Sequence, residues 1–164
     1  MSNVLIIFQA DTEATEQLAL AAGVGAVEAE GSIRLRRLTA VGAPEVGHKG
    51  YGKLQAADLL WANTIVVGLE SPRPRAEELE GLLSLLSGAD PGALGGKQAW
   101  TFRAEGLDAE RTEAQVFVES ALQVAGVVML PAAILHFAVD REMLEQMKEA
   151  GRMSARLSKT KQNK

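Results

Sequence analysis

The chain alternates short apolar runs with longer stretches of helical periodicity. Residues 4–8 read VLIIF, and an apolar run of that length predicts a strand that is buried on both faces. Residues 63–68, 97–102 and 127–131 have a similar pattern and predict three further strands. Such runs are typical of the central strands of a parallel sheet, which helices cover on both sides.

A fifth strand is predicted over residues 32–38, which read SIRLRRL. Apolar and basic residues alternate here, so one face of the strand is expected to contact the core and the other to contact water. We therefore place this strand near an edge of the sheet. Arg34 and Arg36 are expected to lie on its solvated face.

The first helix is predicted to follow the first strand after a short loop. Asp11 or Thr12 can serve as its N-cap, and its apolar residues continue to about Val27. Gly23 and Gly25 are expected to be weak points of this helix, because glycine has low helix propensity.

Four more segments have apolar residues at helical spacing, over residues 54–62, 76–87, 112–125 and 141–157, the last capped by Asp140. The apolar residues of the last three are Leu79, Leu82, Leu83 and Leu86; Val116, Phe117, Leu122 and Val124; and Met143, Leu144, Met147 and Met153, the methionines and Leu144 facing inward. Residues 39–53 are rich in glycine and are expected to be an irregular loop.

Strands that alternate with helices predict an α/β fold with a doubly wound, five-stranded parallel sheet and helices on both faces. Five strands suit the order 2-1-3-4-5, in which ligands bind beyond the carboxyl ends of the strands, where strands one and three separate. Three predicted loops meet there, over residues 9–16, 69–75 and 103–111. A helix N-terminus at that position can bind a phosphate, through unpaired N–H groups and a partial positive charge.

Composition narrows the class of protein. The 164 residues predict a single domain over 1–158, followed by a frayed basic tail over 159–164. A net charge of −4 argues against nucleic-acid binding, and no apolar run approaches the length of a membrane span. The chain has no cysteine and no signal-peptide pattern. We therefore expect a cytoplasmic protein with no membrane or nucleic-acid partner.

Four segments resemble one known family. Residues 10–16, ADTEATE, resemble the flavodoxin phosphate loop, Ser-x-Thr-Gly-Asn-Thr-Glu. Residues 58–68 are similar to the segment that enters strand three, and residues 92–102 to the Gly-Lys-x-x-x-x-Phe entry to strand four. Residues 122–131 resemble the passage into strand five. The chain thus resembles the flavodoxin-like FMN-binding superfamily, and most of all its WrbA-type NAD(P)H:quinone oxidoreductases and NADPH-dependent FMN reductases, over about residues 3–157.

This resemblance implies a flavodoxin-like fold, FMN as cofactor, NAD(P)H as substrate, a quinone or similar electron acceptor, and a homo-oligomer. The flavin would do the chemistry, so no catalytic side chain is required. The resemblance and the three loops imply a set of cofactor-binding residues. They are Gln9, Asp11, Thr12, Glu13, Ala14, Thr15, Ser71, Pro72, Arg73, Arg103, Ala104 and Gly106.

The phosphate loop departs from the family pattern. Thr12 and Thr15 match its hydroxyl residues and Glu16 its acidic end, but Ala14 replaces the asparagine and Glu13 replaces the glycine. The serine–proline pair that follows strand three also arrives late, at residues 71–72.

Charge in this loop leaves two functions open. A carboxylate ~6 Å from a phosphate charge costs roughly 3 kcal/mol before screening, whereas a helix terminus returns only ~0.3–1 kcal/mol. If Asp11 and Glu13 point inward, repulsion prevents FMN binding. The chain would then be a flavodoxin-like domain that has lost the flavin and serves as a binding or regulatory module. If they point outward, backbone N–H groups can bind the phosphate, and an FMN-dependent oxidoreductase is expected.

Charged and aromatic side chains outside the phosphate loop also have alternative interpretations, either in the site or elsewhere in the fold. Arg73, Arg75 and Arg103 are either cations of the site or exposed loop charges. Tyr51, His48 or a residue of a partner chain could cover a flavin ring. Trp61 and Trp100 lie in apolar segments and are expected in the core.

The sequence lacks the residues that several other classes of functional site require. A receiver-type phosphorylation domain needs an acidic pair after strand one, an aspartate after strand three and a lysine after strand five, but residues 9–10, 68–69 and 130–131 supply none of them. The glycine spacings of P-loop and Rossmann sites are absent after strand one. The sequence contains no metal-ligand constellation, and His48 has no partner at ligand spacing.

Overall fold

The computed structural model describes residues 2–9, 13–38, 51–69, 76–103, 112–131, 133–134 and 141–162. In chain order its elements are β1 (Asn3–Phe8), α1 (Glu13–Glu28), β2 (Ser32–Arg37), β3 (Gly52–Lys53), α2 (Ala56–Trp61), β4 (Thr64–Leu69), α3 (Ala76–Gly88), β5 (Gln98–Arg103), α4 (Glu113–Val124), β6 (Val128–Met129), β7 (Ala133–Ile134) and α5 (Arg141–Gln162).

The described strands form one parallel sheet in the order β3-β2-β1-β4-β5-β6, and β7 also pairs with β5. The five strands predicted from the sequence therefore have the expected order 2-1-3-4-5. Two details differ. The fifth predicted strand is two short strands, β6 and β7, on either side of Pro131, whose ring removes a ladder donor. A two-residue strand, β3, lies in the segment predicted to be irregular, where it pairs with β2.

Helices cover both faces of the sheet. The alternating side chains of β1 contribute to two cores, with Leu5 and Ile7 in one and Val4, Ile6 and Phe8 in the other, and all five are at most 1% exposed. The first core lies under α2, α3 and α4 and includes Leu59, Leu82 and Leu122. The second lies under α1 and α5 and includes Leu18 and Met147. The apolar run of residues 4–8 is thus explained by burial on both faces.

Helices α1 and α5 pack closely because both have a glycine at their contact. A methyl group on Gly25 would overlap the carbonyl oxygen of Lys148, and one on Gly151 would overlap the carbonyl oxygen of Ala22. Gly23 faces the sheet, where a methyl group would lie 3.1 Å from Ile33. Neither glycine interrupts α1, and both lie at close contacts; that they weaken the helix stays a prediction.

The polar face of β2 is covered by α2. The carboxylate of Asp58, which is 3% exposed, accepts hydrogen bonds at 3.1 Å from both Arg34 and Arg36, and it also caps α2 at the backbone N–H of Gln55. The guanidinium of Arg34 stacks 4.3 Å from the ring centroid of Trp61. Both arginines remain partly exposed, as expected for a solvated strand face, but that face is also covered by α2, because both arginines pair with the buried Asp58 carboxylate.

Trp100 confirms the expected core position. It is 4% exposed, and its indole N–H donates to the Ser154 hydroxyl at 2.8 Å. Trp61 is half-buried against the core under α2. Helix α5 continues to Gln162, beyond its predicted end near Leu157, and the described part of the chain has no helix that could span a membrane.

Helix α4 buries a different face from the one its apolar residues predict. Of Val116, Phe117, Leu122 and Val124, only Leu122 is buried, and Val124 is 90% exposed. The buried face instead has Ala114, Gln115, Val118, Glu119 and Leu122. Met153 of α5 is likewise half-exposed instead of inward.

Replacing Gly25 with alanine should destabilise the fold, because the added methyl group must push α1 away from α5. Overpacking of this kind costs ~1–3 kcal/mol. Gly88 is a matched control in α3, since a methyl group there meets nothing within 4 Å. Gly88→Ala should leave the stability unchanged or raise it by up to ~1 kcal/mol. Chemical denaturation of both variants measures the difference, and equal midpoints would contradict the packing.

Candidate site at the carboxyl edge of the sheet

The candidate site lies where β1 is flanked by β2 and β4, at the carboxyl ends of these strands. The register places Phe8 beside Arg37 of β2 and Gly68 of β4, and places Gly68 beside Phe102 of β5. These four residues form one row across the sheet. Phe8 and Phe102 belong to the core that α1 and α5 cover, so the row faces that side.

Aromatic side chains fill the middle of this row. The ring of Phe102 lies over Gly68, so that a methyl group on Gly68 would overlap it. Phe8 contacts Tyr51 in an edge-to-face arrangement, with ring centroids 5.2 Å apart. Phe8 and Phe102 are fully buried, and Tyr51 is half-buried. Phe8, Gly68 and Phe102 of this row therefore form an apolar floor on the α1 side.

The other side of the same edge is polar. Gln9 is 3% exposed, and its side-chain amide donates to the Glu78 carboxylate of α3 at 2.5 Å. Its backbone N–H donates to the Gly68 carbonyl at 3.1 Å. Arg103, at the end of β5, is 5% exposed and projects to the same side as Thr101. Both side chains predicted to bind a cofactor here, Gln9 and Arg103, are buried.

A buried hydrogen-bond network links β5 to the start of α4. The Thr101 hydroxyl donates to the Glu119 carboxylate and accepts from the Gln115 amide, both at 3.1 Å. Gln115 and Thr112 also form a reciprocal capping box at the N-terminus of α4. Strand β5 and α4 are thus fixed against each other.

The N-terminus of α1 points to this edge, because β1 ends there at Phe8 and α1 begins shortly afterwards at Glu13. Glu13 is exposed, and its carboxylate accepts from Gln17 at 3.4 Å, one turn further along the helix. Thr15 is fully buried and Ala14 is half-buried. The Glu13 carboxylate is therefore directed along the exposed face of α1, and Asp11, the other carboxylate of the two alternatives, lies outside the described residues.

Arg37 is a charged residue of this edge that the sequence analysis missed. Ile33 and Leu35 pack into the core under α1, so Arg37, two residues further, projects to the same side as α1. Its Nε and Nη2 atoms are buried and have no hydrogen-bond partner among the described residues. The sequence feature that could have identified Arg37 is its position on the apolar face of a strand that neighbours the first strand.

The structure describes five of the predicted site residues: Gln9, Glu13, Ala14, Thr15 and Arg103. The other seven lie outside the described residues: Asp11, Thr12, Ser71, Pro72, Arg73, Ala104 and Gly106. Three further residues for which the sequence suggested a role also lie outside the described residues: His48, Arg75 and Asp140.

No cluster of three or more histidine or acidic side chains that could hold a metal ion occurs within the described ranges. Burial lowers the pKa of Lys97, whose ammonium donates to the carbonyl oxygens of Leu60 and Ala62. This lysine lies at the start of β5, at the opposite edge of the sheet, where it caps the end of α2. It therefore has a structural role remote from the candidate site.

Comparison with known proteins places the fold. No protein-family model matches the sequence, and no curated protein matches it. Solved structures do match. A flavodoxin from Archaea has a TM-score of 0.72 and 15% identity, over 96% of this chain and 99% of that one. A WrbA-like flavodoxin from Agrobacterium tumefaciens has a TM-score of 0.70 and 15% identity, over 98% and 99%.

A third match is a flavodiiron core from Synechocystis, with a TM-score of 0.72 and 17% identity, over 97% of this chain and 36% of that one. The chain has a flavodoxin-like fold. Its likeness to the first two structures extends over nearly the whole of both chains. The carboxyl edge described above corresponds by topology to the edge where flavodoxin-like sheets reverse their strand order and bind ligands.

Replacing Gly68 with alanine should disturb this edge of the flavodoxin-like sheet, because the methyl group must displace the Phe102 ring. We expect a loss of ~2 kcal/mol in the free energy of unfolding. Gly52 is a matched control in β3, where a methyl group would come no closer than 3.7 Å to Arg36. Gly52→Ala should change stability by less than ~0.5 kcal/mol. Urea denaturation, monitored by near-UV circular dichroism, measures both changes. Equal changes in the free energy of unfolding for the two variants would contradict this packing.

Proposed function

We propose that the chain binds FMN at the carboxyl edge of its sheet and is an FMN-dependent NAD(P)H oxidoreductase, of the quinone reductase or FMN reductase type. The observation that supports this most is the charge around the N-terminus of α1. Glu13 faces outward, and the guanidinium of Arg37, with two buried nitrogens, projects to the side that α1 covers. Both features favour an anion such as the FMN phosphate.

The electrostatic energies favour phosphate binding, because the Glu13 carboxylate points outward. The repulsion of roughly 3 kcal/mol expected from an inward carboxylate does not arise for this residue. A guanidinium ~6 Å from the phosphate would instead contribute an attraction of the same size before screening. The helix terminus adds ~0.3–1 kcal/mol. We infer that Arg37 is the principal cation that compensates the phosphate charge.

The described residues have distinct roles in this proposal. The backbone N–H groups of the first turn of α1, at Glu13, Ala14 and Thr15, hold the phosphate, because the first N–H groups of a helix have no intrahelical acceptor. Phe8 and Phe102 form the apolar floor that keeps water from the α1 side. FMN, when bound, supplies the transfer of electrons from NAD(P)H to a quinone or flavin acceptor.

We propose that the isoalloxazine ring of FMN contacts the other two predicted loops, residues 69–75 and 103–111. Arg103 lies at the end of β5 where one of them begins, and Ser71, Pro72, Arg73, Ala104 and Gly106 remain proposed contacts. Tyr51 brings an aromatic ring to the same edge, against Phe8. A homo-oligomer and a cytoplasmic location also remain proposals.

One observation favours the alternative, a flavodoxin-like domain without flavin that acts as a binding or regulatory module. The amide of Gln9 is engaged by the carboxylate of Glu78, which brings an acidic group of α3 to the end of β1. Glu77 adds a second acid in the same first turn. A carboxylate at this edge opposes the phosphate charge that Arg37 attracts.

Titration with FMN, followed by quenching of flavin fluorescence, tests the two functions. The oxidoreductase proposal predicts saturable quenching and NAD(P)H-dependent reduction of a quinone by the loaded protein. A protein that quenches no FMN fluorescence at any concentration would support the module without flavin instead.

Variants of the two charged residues test the phosphate contacts. Arg37→Met should weaken FMN binding at least ~tenfold, or ~1.4 kcal/mol, and Arg37→Lys should recover part of it. Glu13→Gln should change the dissociation constant by less than ~threefold, because an exposed, outward carboxylate is strongly screened. A larger effect of Glu13→Gln than of Arg37→Met would show that the assignment of charges is wrong.

A further inference from the structure

A second base extends the row of residues that crosses the carboxyl edge of the sheet. Lys53 of β3 pairs in register with Arg37 of β2, and Arg37 pairs in register with Phe8 of β1. Residues paired in this way on neighbouring parallel strands project to the same side of the sheet. Phe8 belongs to the core that α1 and α5 cover, so Lys53 and Arg37 both project towards α1. The backbone N–H of Leu54 donates to the Arg37 carbonyl at 3.2 Å, which joins the two strands at this row.

The side chains around Lys53 agree with this orientation of β3. Tyr51, two residues earlier, projects to the same side as Lys53, and its ring contacts Phe8 with a centroid distance of 5.2 Å. Gly52 projects to the other side, because a methyl group on it would lie 3.7 Å from the side chain of Arg36, which faces α2. Arg37 and Lys53, which we call the basic pair, are therefore neighbours on the α1 side.

Helix α1 begins at the level of the basic pair. A methyl group on Gly23 would lie 3.1 Å from Ile33, so this part of α1 packs on β2. From Gly23 back to Glu13 the helix extends ~15 Å towards the carboxyl edge. From Ile33 to Arg37 the strand extends ~13 Å in the same direction. The first turn of α1 and the basic pair therefore lie beside each other at one end of the molecule.

The charges at this position favour two cations for a bound phosphate. Glu13 and Glu16 place two carboxylates in the first turn of α1, and Glu16 is 8% exposed. A phosphate monoester adds a charge of about −1.5 to −2 at neutral pH. One guanidinium cannot balance that added charge, whereas Arg37 and Lys53 together can. The buried Nε and Nη2 atoms of Arg37 have no hydrogen-bond partner among the described residues, so they are donors that a phosphate can use.

We propose that Lys53 is the second cation of this anion site and determines its preference for a phosphorylated flavin. Arg37 donates hydrogen bonds to the phosphate, Lys53 adds a positive charge from the neighbouring strand, and the first N–H groups of α1 supply further donors. The inference rests on the proposed FMN site and assigns its selectivity for a phosphate monoester. Lys53 lies outside the phosphate loop, in a strand that the sequence pattern does not predict.

Competitive titration with FMN and riboflavin tests this role, because only FMN has the phosphate. In the full-length Lys53→Met variant, the preference for FMN over riboflavin should fall at least ~fivefold, and the affinity for riboflavin should change by less than ~twofold. Lys53→Arg should retain the preference within ~twofold, since it keeps the charge. High salt should reduce the difference between wild type and Lys53→Met, because it screens the added charge.

Lys148→Met is the matched control for the loss of one positive charge. Lys148 is a partly buried lysine of α5, and its side chain pairs with Glu145 of the same helix. Its carbonyl lies beside Gly25, near the end of α1 that is remote from the carboxyl edge. The variant has the same net charge as Lys53→Met, and we expect it to keep the FMN preference of the wild type.

Inorganic phosphate tests the basic pair without a flavin. Millimolar phosphate should raise the melting temperature of the flavin-free wild-type protein more than chloride does at equal ionic strength. Lys53→Met should lose most of that increase, and Lys148→Met should retain it. General effects of salt on apolar burial act on both variants alike, so a difference between them indicates phosphate bound at the basic pair.

The outcomes distinguish this inference from the proposed FMN site. If wild type and Lys53→Met bind FMN with the same preference over riboflavin, Lys53 has no role in selectivity and the FMN site itself stands. If the wild type binds neither flavin, the FMN site is contradicted, and the phosphate measurement decides the assignment of Lys53. Equal phosphate responses of Lys53→Met and Lys148→Met would then overturn that assignment as well. A loss of stability in Lys53→Met without a loss of FMN preference would show that Lys53 serves only the fold.

Discussion

The structure depends on the burial of β1 on both faces. Its alternating side chains supply two separate cores, and its backbone pairs with β2 on one side and β4 on the other. Because β1 is central, the chain after it must leave the sheet at the carboxyl edge and return as α1. That requirement brings a helix N-terminus to the position where the strand order reverses. The candidate site is therefore a consequence of the packing of residues 4–8.

The two edges of the sheet differ in charge and in the way their polar groups are used. At the carboxyl edge, Arg37 and the start of α1 support the proposed anion site, whereas Glu77 and Glu78 of α3 bring negative charge to the other side of the same edge. At the amino-terminal edge, a groove between α3 and α4 is lined mainly by apolar side chains, with Asp90 as a charged residue of its lining.

The sequence was sufficient to predict the strand order and most element boundaries, because burial on one or both faces sets the periodicity of each segment. It was insufficient for contacts between segments distant in sequence. Helix propensity alone makes the glycines of α1 weak points, whereas the structure places the carbonyl of Lys148 beside Gly25. The apolar residues of α4 suggest the wrong core face, because the buried partners of Gln115 and Glu119 on β5 cannot be inferred from α4 alone.

The candidate site was partly predictable for the same reason. The sequence left open the directions of both Asp11 and Glu13; Glu13 contacts Gln17 on the exposed face of α1, and Asp11 lies outside the described residues. Arg37 was missed, because its importance depends on which side of the sheet α1 packs and on which atoms have no partner. The direction of a side chain at a sheet edge follows from the register of its strand. That register can be assigned only when the neighbouring strands are known.

The most direct measurement is a comparison of FMN with riboflavin as ligands of the wild-type protein, by competitive titration at low and high salt. The two molecules share the ring and differ in the phosphate. If Arg37 and α1 bind the phosphate, FMN should bind at least ~tenfold more tightly than riboflavin, and salt should reduce that preference. Equal affinities for the two flavins, or no binding of either, would contradict the central claim.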